Sequence, residues 1–238
     1  MQFEPKNVKA KLIKRYKRFL ADVELEDGTI LTAHCPNTGS MASCWQKDDI
    51  VYLSPSNNPK RKLPFTWELS KTSGGYIGIN THRANHLVHE AVCNNVIPKL
   101  KGYKTIKREV KYGDNSKIDL LLTGHGAKPD CYVEVKNVTL FDSEANRVIF
   151  PDSVTKRGQK HLVELTKVVK TGARAVMFYL INRPEGKYFA PAKQIDPEYA
   201  RLLSIAKLAG VELLAYRVCA KPQEIYVDQN MPVKIRFD

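Results

Sequence analysis

Three ionisable residues in two neighbouring β-forming segments have the types and spacing that metal-dependent phosphate chemistry uses. Asp119 lies in the apolar segment KIDLLLT (117–123), and Glu134 and Lys136 lie in CYVEVKNVTL (131–140). Side chains alternate along a strand, so Glu134 and Lys136 share one face while valines line the other. A hairpin through GHGAKPD would bring the two carboxylates to one end of a sheet. There they could hold Mg²⁺ or Mn²⁺ together with a backbone carbonyl, and Lys136 could reach a metal-bound water or a scissile phosphate.

Each of these residues also has a purely structural explanation. Glu134 and Lys136 could form an ion pair on an exposed strand, which stabilises a protein by about 0 to 1 kcal/mol. Asp119 is harder to explain in this way, because a carboxylate in a buried apolar segment is costly unless a cation, hydrogen bonds or a metal satisfies it. Glu109, in KREVKY, is a weaker candidate whose pattern favours an ion pair at a strand edge.

The composition is that of a globular protein with enough material for one large domain or two small ones. The chain has 238 residues, of which 43% are hydrophobic and 26% are charged. No run of about 18 apolar residues exists, and the first 20 residues lack the apolar stretch of a secretory signal. We therefore expect a cytoplasmic protein without a transmembrane helix.

The cysteines do not predict a disulfide framework. There are five, widely spread and without a CxxC pair, so reduced and mostly buried thiols are expected. A zinc site at His34, Cys35 and Cys44 can be imagined, but the short ligand spacings of structural zinc modules are missing.

The net charge is the strongest signal in the composition. It is +13 at pH 7, and the pI is about 9.5. Such a field attracts polyanions, of which nucleic acid is the commonest in a cytoplasm, although excess lysine can also serve solubility or heat adaptation. Residues 1–80 carry a net +4 and the remainder +9, as a polyanion shared by both regions would require.

Residues 1–80 are predicted to form a small OB-like β-barrel. The segment contains several short strand patterns, with EDG as a turn signal and SNNPKRK as a loop. Barrels of this kind bind oligonucleotides or oligosaccharides on one face.

Residues 81–238 are predicted to form an α/β domain, so the chain as a whole is of the α/β (α+β) class. Glycines cluster at GGYIG before a helical pattern that runs from Thr81, as N-cap, to about Ile97, where Pro98 ends it. Helices and buried strands then alternate, as in layered α/β folds. The further strands are expected near 104–112, 117–123, 131–140, 173–181 and 211–219, and the further helices near 155–170 and 196–210.

Two basic segments are candidates for nucleic-acid contact. KAKLIKRYKR (9–18) has six basic residues and no acidic one, and is either a solvated strand or a strip that follows a phosphate backbone with an aromatic ring available for stacking. The candidate contacts there are Lys11, Lys14, Arg15, Tyr16 and Lys17. At a predicted helix start, Lys156, Arg157, Lys160 and His161 form a second basic cluster, either solvated or beside the metal site. His82, His86 and His89 share one helical neighbourhood, where scattered surface imidazoles are the more usual explanation.

Several long motifs resemble the sugar fermentation stimulation protein (SfsA) family over essentially the whole chain. They are REVKYGDNSKIDLLL, CYVEVKNVTL, FPDSVTKRGQKHLVEL and HCPNTGSM. The resemblance implies an N-terminal OB-like domain and a C-terminal PD-(D/E)xK nuclease-like domain. It places the nuclease pattern on Asp119, Glu134 and Lys136, with Glu90 on the preceding helix as an extra acidic ligand and Gln159 on the following helix as an auxiliary residue. One departure is that Ile118, not proline, precedes Asp119.

The same resemblance implies non-sequence-specific DNA binding and a regulatory role in sugar metabolism, notably of maltose. Two further functions remain open at this point. The intact Asp119, Glu134 and Lys136 set favours an active Mg²⁺-dependent phosphodiesterase acting on DNA or RNA. An OB-like domain that binds sugar is the third reading, although a charge of +13 offers a neutral sugar no advantage.

Overall fold

The computed structural model describes residues 1–113 and 116–237, and its first sheet is the predicted barrel. The strand order is β3-β2-β1-β4-β5-β6, and β3 also pairs with β5, which closes a barrel of β1 to β5. Trp67, fully buried, fills its interior. The predicted OB-like fold is therefore confirmed. Its strands are β1 (Val8–Tyr16), β2 (Leu20–Leu25), β3 (Ile30–His34), β4 (Ile50–Pro55), β5 (Phe65–Thr72) and β6 (Gly75–Gly78).

The remaining elements form two sheets and the helices that cover them. The strands are β7 (Thr105–Tyr112), β8 (Ser116–Thr123), β9 (Cys131–Val138), β10 (Leu140–Asp142), β11 (Arg147–Phe150), β12 (Arg174–Ile181), β13 (Tyr188–Pro191), β14 (Glu212–Ala220), β15 (Ile225–Pro232) and β16 (Lys234–Ile235). The helices are α1 (Ala84–Cys93), α2 (Lys156–Lys170) and α3 (Pro197–Leu208).

The larger sheet has the order β15-β14-β12-β9-β8-β7. Its central strand, β12, pairs in parallel with both β9 and β14, and is apolar almost throughout because both of its faces are covered. Leu87 of α1 packs in the core on one face, whereas Leu162 of α2 and Leu203 of α3 pack in the core on the other. The predicted α/β domain is confirmed, and the strands that carry the candidate carboxylates are its β8 and β9.

The structure differs from the sequence prediction at the start of the first helix. A single 3-10 turn covers Thr81–Arg83, and its N-cap is Asn80, whose side chain accepts a hydrogen bond from the His82 amide at 3.1 Å. The helix proper is α1, which ends at Cys93 and not near Ile97. Asn80 precedes the expected cap by one residue, and its side-chain oxygen serves the same capping function as a threonine hydroxyl.

Two further features were not predicted. The small sheet β10-β11-β13-β16 is built from strands of two to four residues, too short to show an alternating pattern. The first three residues lie against the second domain, where the Phe3 amide donates to the Gln223 carbonyl at 2.9 Å. Across the described ranges, no helix is long and apolar enough to cross a membrane.

Candidate functional site

The candidate carboxylates line a cleft of about 500 Å³ between the barrel and the second domain. From the barrel side, Arg18 and the loop at Asn37 to Gly39 form one wall. A Cβ atom on Gly39 would overlap Oδ2 of Asp152 across the cleft, so a larger residue here would force the Asp152 side chain to shift. The second domain contributes the other wall, which includes Asn85, Asp119, Glu134, Lys136, Asp152, Arg157 and His161.

Asp119 lies just outside the pairing of β8 with β9, which begins one residue after it. The first paired residues are Leu120 and Val133, and Oδ2 of Asp119 accepts a hydrogen bond from the Val135 amide at 2.7 Å. Its Oδ1 accepts from Nδ2 of Asn85, on α1, at 2.6 Å. Burial and, secondarily, the charge of Glu134 raise the pKa of Asp119 to about 6.

Glu134 and Lys136 lie on one face of β9, as predicted, and a residue of α2 joins them. Nζ of Lys136 lies 2.6 Å from Oε1 of Glu134 and 3.0 Å from Nδ1 of His161. The same Nδ1 also contacts Oε1 of Glu134. Burial alone would raise the pKa of Glu134, but Lys136 and His161 outweigh it and hold that pKa below its ordinary value. Glu134 is therefore a buried, ionised carboxylate.

The surroundings of the other Glu134 oxygen, Oε2, indicate whether a cation would fit in the cleft. Among the residues that the structure describes, buried Oε2 of Glu134 has no hydrogen-bond partner. A buried carboxylate oxygen without a donor is costly, and a hard cation in the cleft would satisfy it. No group of three or more His, Cys, Asp and Glu side chains converges in the described ranges. Mg²⁺ is commonly held by only one or two carboxylates plus water and phosphate oxygens, so Asp119 and Glu134 suit it.

The structure does not bring two of the predicted residues to this cluster. The carboxylate of Glu90, on α1, accepts a hydrogen bond from the amino group of Met1 at 3.1 Å and is absent from the cleft wall. Gln159 is buried, but its amide donates to Asp196 at 2.8 Å, at the N-cap of α3. Their proposed roles as an extra metal ligand and an auxiliary residue are not supported by these contacts.

Sequence reasoning missed two residues that do reach the cluster. Asn85 was not singled out, although it is the α1 residue that contacts Asp119 and also lies 3.4 Å from Oε1 of Glu109. His161 was considered only as part of a basic cluster, not as a partner of Glu134. His161 lies two residues after Gln159, which the sequence did single out on the same helix. Whether Gln159 or His161 faces β9 depends on how α2 docks against the sheet.

The basic strip on β1 is mostly engaged with neighbouring groups. Lys11 and Lys14 are exposed and pair with Asp48 at 2.9 Å and Asp22 at 3.4 Å. The Tyr16 hydroxyl donates to Asp22 at 3.0 Å. These residues lie outside the cleft wall, so their contact with nucleic acid remains a prediction.

Arg15 and Lys17 behave differently from the rest of the strip. Nη2 of Arg15 donates to the backbone carbonyls of Asn37 and Gly39 at 2.9 and 3.1 Å, and thereby holds the loop that walls the cleft. Lys17 is exposed in the turn that follows β1, and the next residue, Arg18, lines the cleft.

The basic residues at the start of α2 lie at or near the cleft. Arg157 lines it, and its Nε donates to Nε2 of His161 at 3.4 Å. Lys156 is exposed, and Lys160 lies 3.5 Å from Glu164. Cys44, considered above with His34 and Cys35 for a zinc site, is buried; its Sγ donates to the Thr139 carbonyl, and burial raises the pKa of this thiol to about 11.

Comparison with known proteins decides the family. The model of the SfsA N-terminal OB domain matches residues 13–79, and that of the sugar fermentation stimulation protein RE domain matches residues 82–224. The chain belongs to the sugar fermentation stimulation protein family. In the family's terms, the barrel is the OB domain, and β8, β9, α1 and α2 lie in the RE domain.

Relatives in the family resemble the chain over nearly its full length. The sugar fermentation stimulation protein homolog of Geotalea uraniireducens is 54% identical over 95% of this chain and 96% of its own, and that of Shewanella sp. (strain W3-18-1) is 52% identical over 99% and 100%. The solved structure of Pyrococcus furiosus SfsA in complex with Ca²⁺ is 26% identical, covers 99% of this chain and 98% of its own, and superposes with a TM-score of 0.86.

Proposed function

We propose that this protein binds DNA without sequence specificity along the cleft, and that Asp119 and Glu134 hold a divalent cation there. The observation that carries the proposal is the buried Oε2 atom of Glu134, which lacks a hydrogen-bond partner within the described part of the chain. The cleft has Arg18 on one wall and Arg157 on the other. A cation at the carboxylates and two guanidiniums at the walls are complementary to a phosphate backbone.

Mg²⁺ or Mn²⁺ is the cation we propose. When bound, it would neutralise charge on a phosphate group and lower the pKa of a coordinated water. That Pyrococcus furiosus SfsA forms a complex with Ca²⁺ supports a divalent site in the shared fold. The relatives' name further suggests a regulatory role in sugar metabolism, in which DNA binding would be the molecular activity.

A specific contact favours a second function, hydrolysis of phosphodiester bonds in DNA or RNA. The ammonium of Lys136 pairs with Glu134 beside the ring of His161, and is only 12% exposed. An ammonium fixed beside the carboxylate of Glu134 in the cleft is placed to orient a nucleophilic water or to stabilise charge that develops on a phosphate oxygen.

Parallel cleavage and binding assays test both functions. Single-stranded DNA, duplex DNA and RNA would be incubated with Mg²⁺ or Mn²⁺ and wild type, Asp119→Ala or Lys136→Ala, with Lys170→Ala as an exposed control. DNA affinity would be measured in Ca²⁺ over a range of salt concentrations, and metal affinity by calorimetry for wild type and Glu134→Gln.

The outcomes separate the functions. Cleavage by the wild type and the control, lost in both cleft variants while DNA binding persists, would establish a nuclease. Binding without cleavage in every protein would leave the DNA-binding function alone. A shallow salt dependence, a marked preference for one DNA sequence, or equal metal affinity of wild type and Glu134→Gln would contradict the proposal.

A further inference from the structure

A second concavity of about 540 Å³ adjoins the cleft; we call it the histidine basin. The basin and the cleft share two chain segments. Pro36 lines the basin and Asn37 the cleft, and on the other segment Thr81 lines the cleft and His82 the basin. The Thr81 hydroxyl donates to the Pro36 carbonyl at 2.7 Å, which ties the two segments together. The charged and imidazole side chains that line it and bear on the argument are His34, Arg61, Glu68, His82, His86 and Arg108.

The acidic residue of the basin is fully satisfied by its neighbours. Glu68 is 2% exposed and accepts hydrogen bonds from Nε and Nη2 of Arg83 at 2.9 and 2.8 Å. Nδ2 of Asn80 and Oγ of Ser54 donate to the same carboxylate at 3.1 and 2.7 Å. The bidentate pair neutralises both charges, so Glu68 is unavailable to the other cations of the basin.

Two guanidiniums therefore remain uncompensated. Arg61 donates only to the Thr66 hydroxyl, at 3.1 Å, and neither Arg61 nor Arg108 has an ion-pair partner within residues 1–113 and 116–237. They come from different domains, because Arg61 precedes β5 of the barrel and Arg108 lies on β7. Both side chains are exposed, and two cations without ion-pair partners around one concavity attract an anion.

One imidazole of the basin, that of His34, supplies a polar group without adding a charge. Burial, and then the charges of Arg61 and His82, lower the pKa of His34, which is therefore neutral at pH 7 and can donate or accept. His82 and His86 are exposed at the rim. Guanidinium groups bind phosphate oxygens through two parallel N–H donors, and a neutral imidazole can add a further donor.

We infer that the histidine basin binds a backbone phosphate of the same nucleic-acid strand that occupies the cleft, with Arg61 and Arg108 as its main contacts. The inference rests on the proposed DNA binding, which it extends beyond the metal site. The contacts are to phosphate, so the basin lengthens the bound strand without selecting its sequence. It also explains the use of both domains, since a strand spanning cleft and basin would contact the barrel and the RE domain together.

The test is the salt dependence of DNA affinity in a charge-matched pair of double variants. Arg61→Ala/Arg108→Ala would be compared with Lys170→Ala/Lys193→Ala, which removes the same net charge from exposed residues that line neither the cleft nor the basin. Fluorescence anisotropy of a labelled oligothymidylate would be measured in Ca²⁺, and circular dichroism would confirm that each variant is folded.

The basin variant should bind roughly tenfold or more weakly at low salt, and its slope of log affinity against log salt should fall by about 1. The control should keep the wild-type slope. If both double variants give the same affinity and slope, the basin does not bind the strand, while wild-type binding and cleavage would still support the proposed function. If the wild type itself does not bind DNA, the proposed function fails and the inference fails with it.

Discussion

The imidazole of His161 and the carboxylate of Glu134 are in direct contact through Nδ1 and Oε1, although they lie on α2 and β9. Arg157 donates to the other ring nitrogen, Nε2, so that nitrogen must carry a lone pair. This assigns the proton to Nδ1, which then donates to Glu134 and cannot also accept from Lys136. Arg157 thus orients His161, and His161 and Lys136 both stabilise the ionised Glu134.

Replacing His161 with alanine should lower the free energy of unfolding by about 1 to 3 kcal/mol in metal-free buffer, because a buried carboxylate loses a donor. Urea unfolding would measure it, with the exposed His86→Ala as a control expected within about 0.5 kcal/mol. An equal loss in both variants would show that the contact with Glu134 contributes nothing.

Asp119 should make stability depend on pH between about 4 and 6. Its pKa is raised from 3.8 to about 6 in the folded protein, so over this interval the folded state holds a proton that the unfolded state has lost. Stability therefore falls as pH rises through this window, by up to about 3 kcal/mol in all. Thermal unfolding across this pH range in EDTA would measure the effect.

Asp119→Asn should abolish this pH dependence and be more stable than the wild type at neutral pH without metal. Asparagine keeps an oxygen for the Val135 amide, and Asn85 can present its own carbonyl to the new amide group after rotation. Addition of Mg²⁺ should stabilise the wild type and not the variant. Glu144→Gln, an exposed carboxylate outside the cleft, should retain the wild-type profile; if Asp119→Asn does so too, Asp119 is not the titrating group.

Alanine variants of Arg15 and Lys17 should distinguish a structural role from a DNA-binding role within the basic strip. Arg15→Ala removes the donor that holds Asn37 and Gly39, and should cost about 1 to 3 kcal/mol of unfolding free energy. Lys17→Ala should leave stability within about 0.5 kcal/mol and weaken DNA binding, since its side chain is exposed. Urea unfolding and anisotropy on both variants would check this, and equal stability losses would contradict it.

Substitution of Arg183, at the junction of the two domains, should lower the free energy of unfolding strongly. Its side chain is 3% exposed, and Nη1 donates to the Ser43 hydroxyl at 2.9 Å and the Thr139 carbonyl at 2.6 Å, while Nε pairs with Glu185 at 3.0 Å. Arg183→Met should cost about 3 to 5 kcal/mol, because it leaves the half-buried carboxylate of Glu185 without its cation and removes the charged donor to Ser43 and Thr139. Arg201→Met, at an exposed pair with Glu198, should cost less than about 1 kcal/mol; similar losses in a urea titration would refute the assignment.

Local patterns in the sequence predicted the elements that carry the carboxylates. Alternation placed Glu134 and Lys136 on one face of β9, and the apolar neighbours of Asp119 placed it in β8, where the structure has both. These predictions held because side-chain alternation is a property of the strand itself and needs no knowledge of what packs against it. The long motifs further identified the family, and with it the order of the two domains.

What surrounds the carboxylates was decided by packing between distant segments. On α1, Asn85 faces Asp119 while Glu90 turns to the amino group of Met1; on α2, His161 meets Glu134 while Gln159 turns to Asp196. Each helix carries polar residues at several positions that could contact the carboxylates. The rotation of the helix against the sheet decides which of these residues does so. The sequence by itself thus determined the strands, the family and the acidic pair. The tertiary structure alone decided which residues contact that pair and which residues form the basin beside it. Asn85 and Asp119, for example, are 34 positions apart in the sequence, and their contact depends on the docking of α1 against the sheet, which no local pattern encodes.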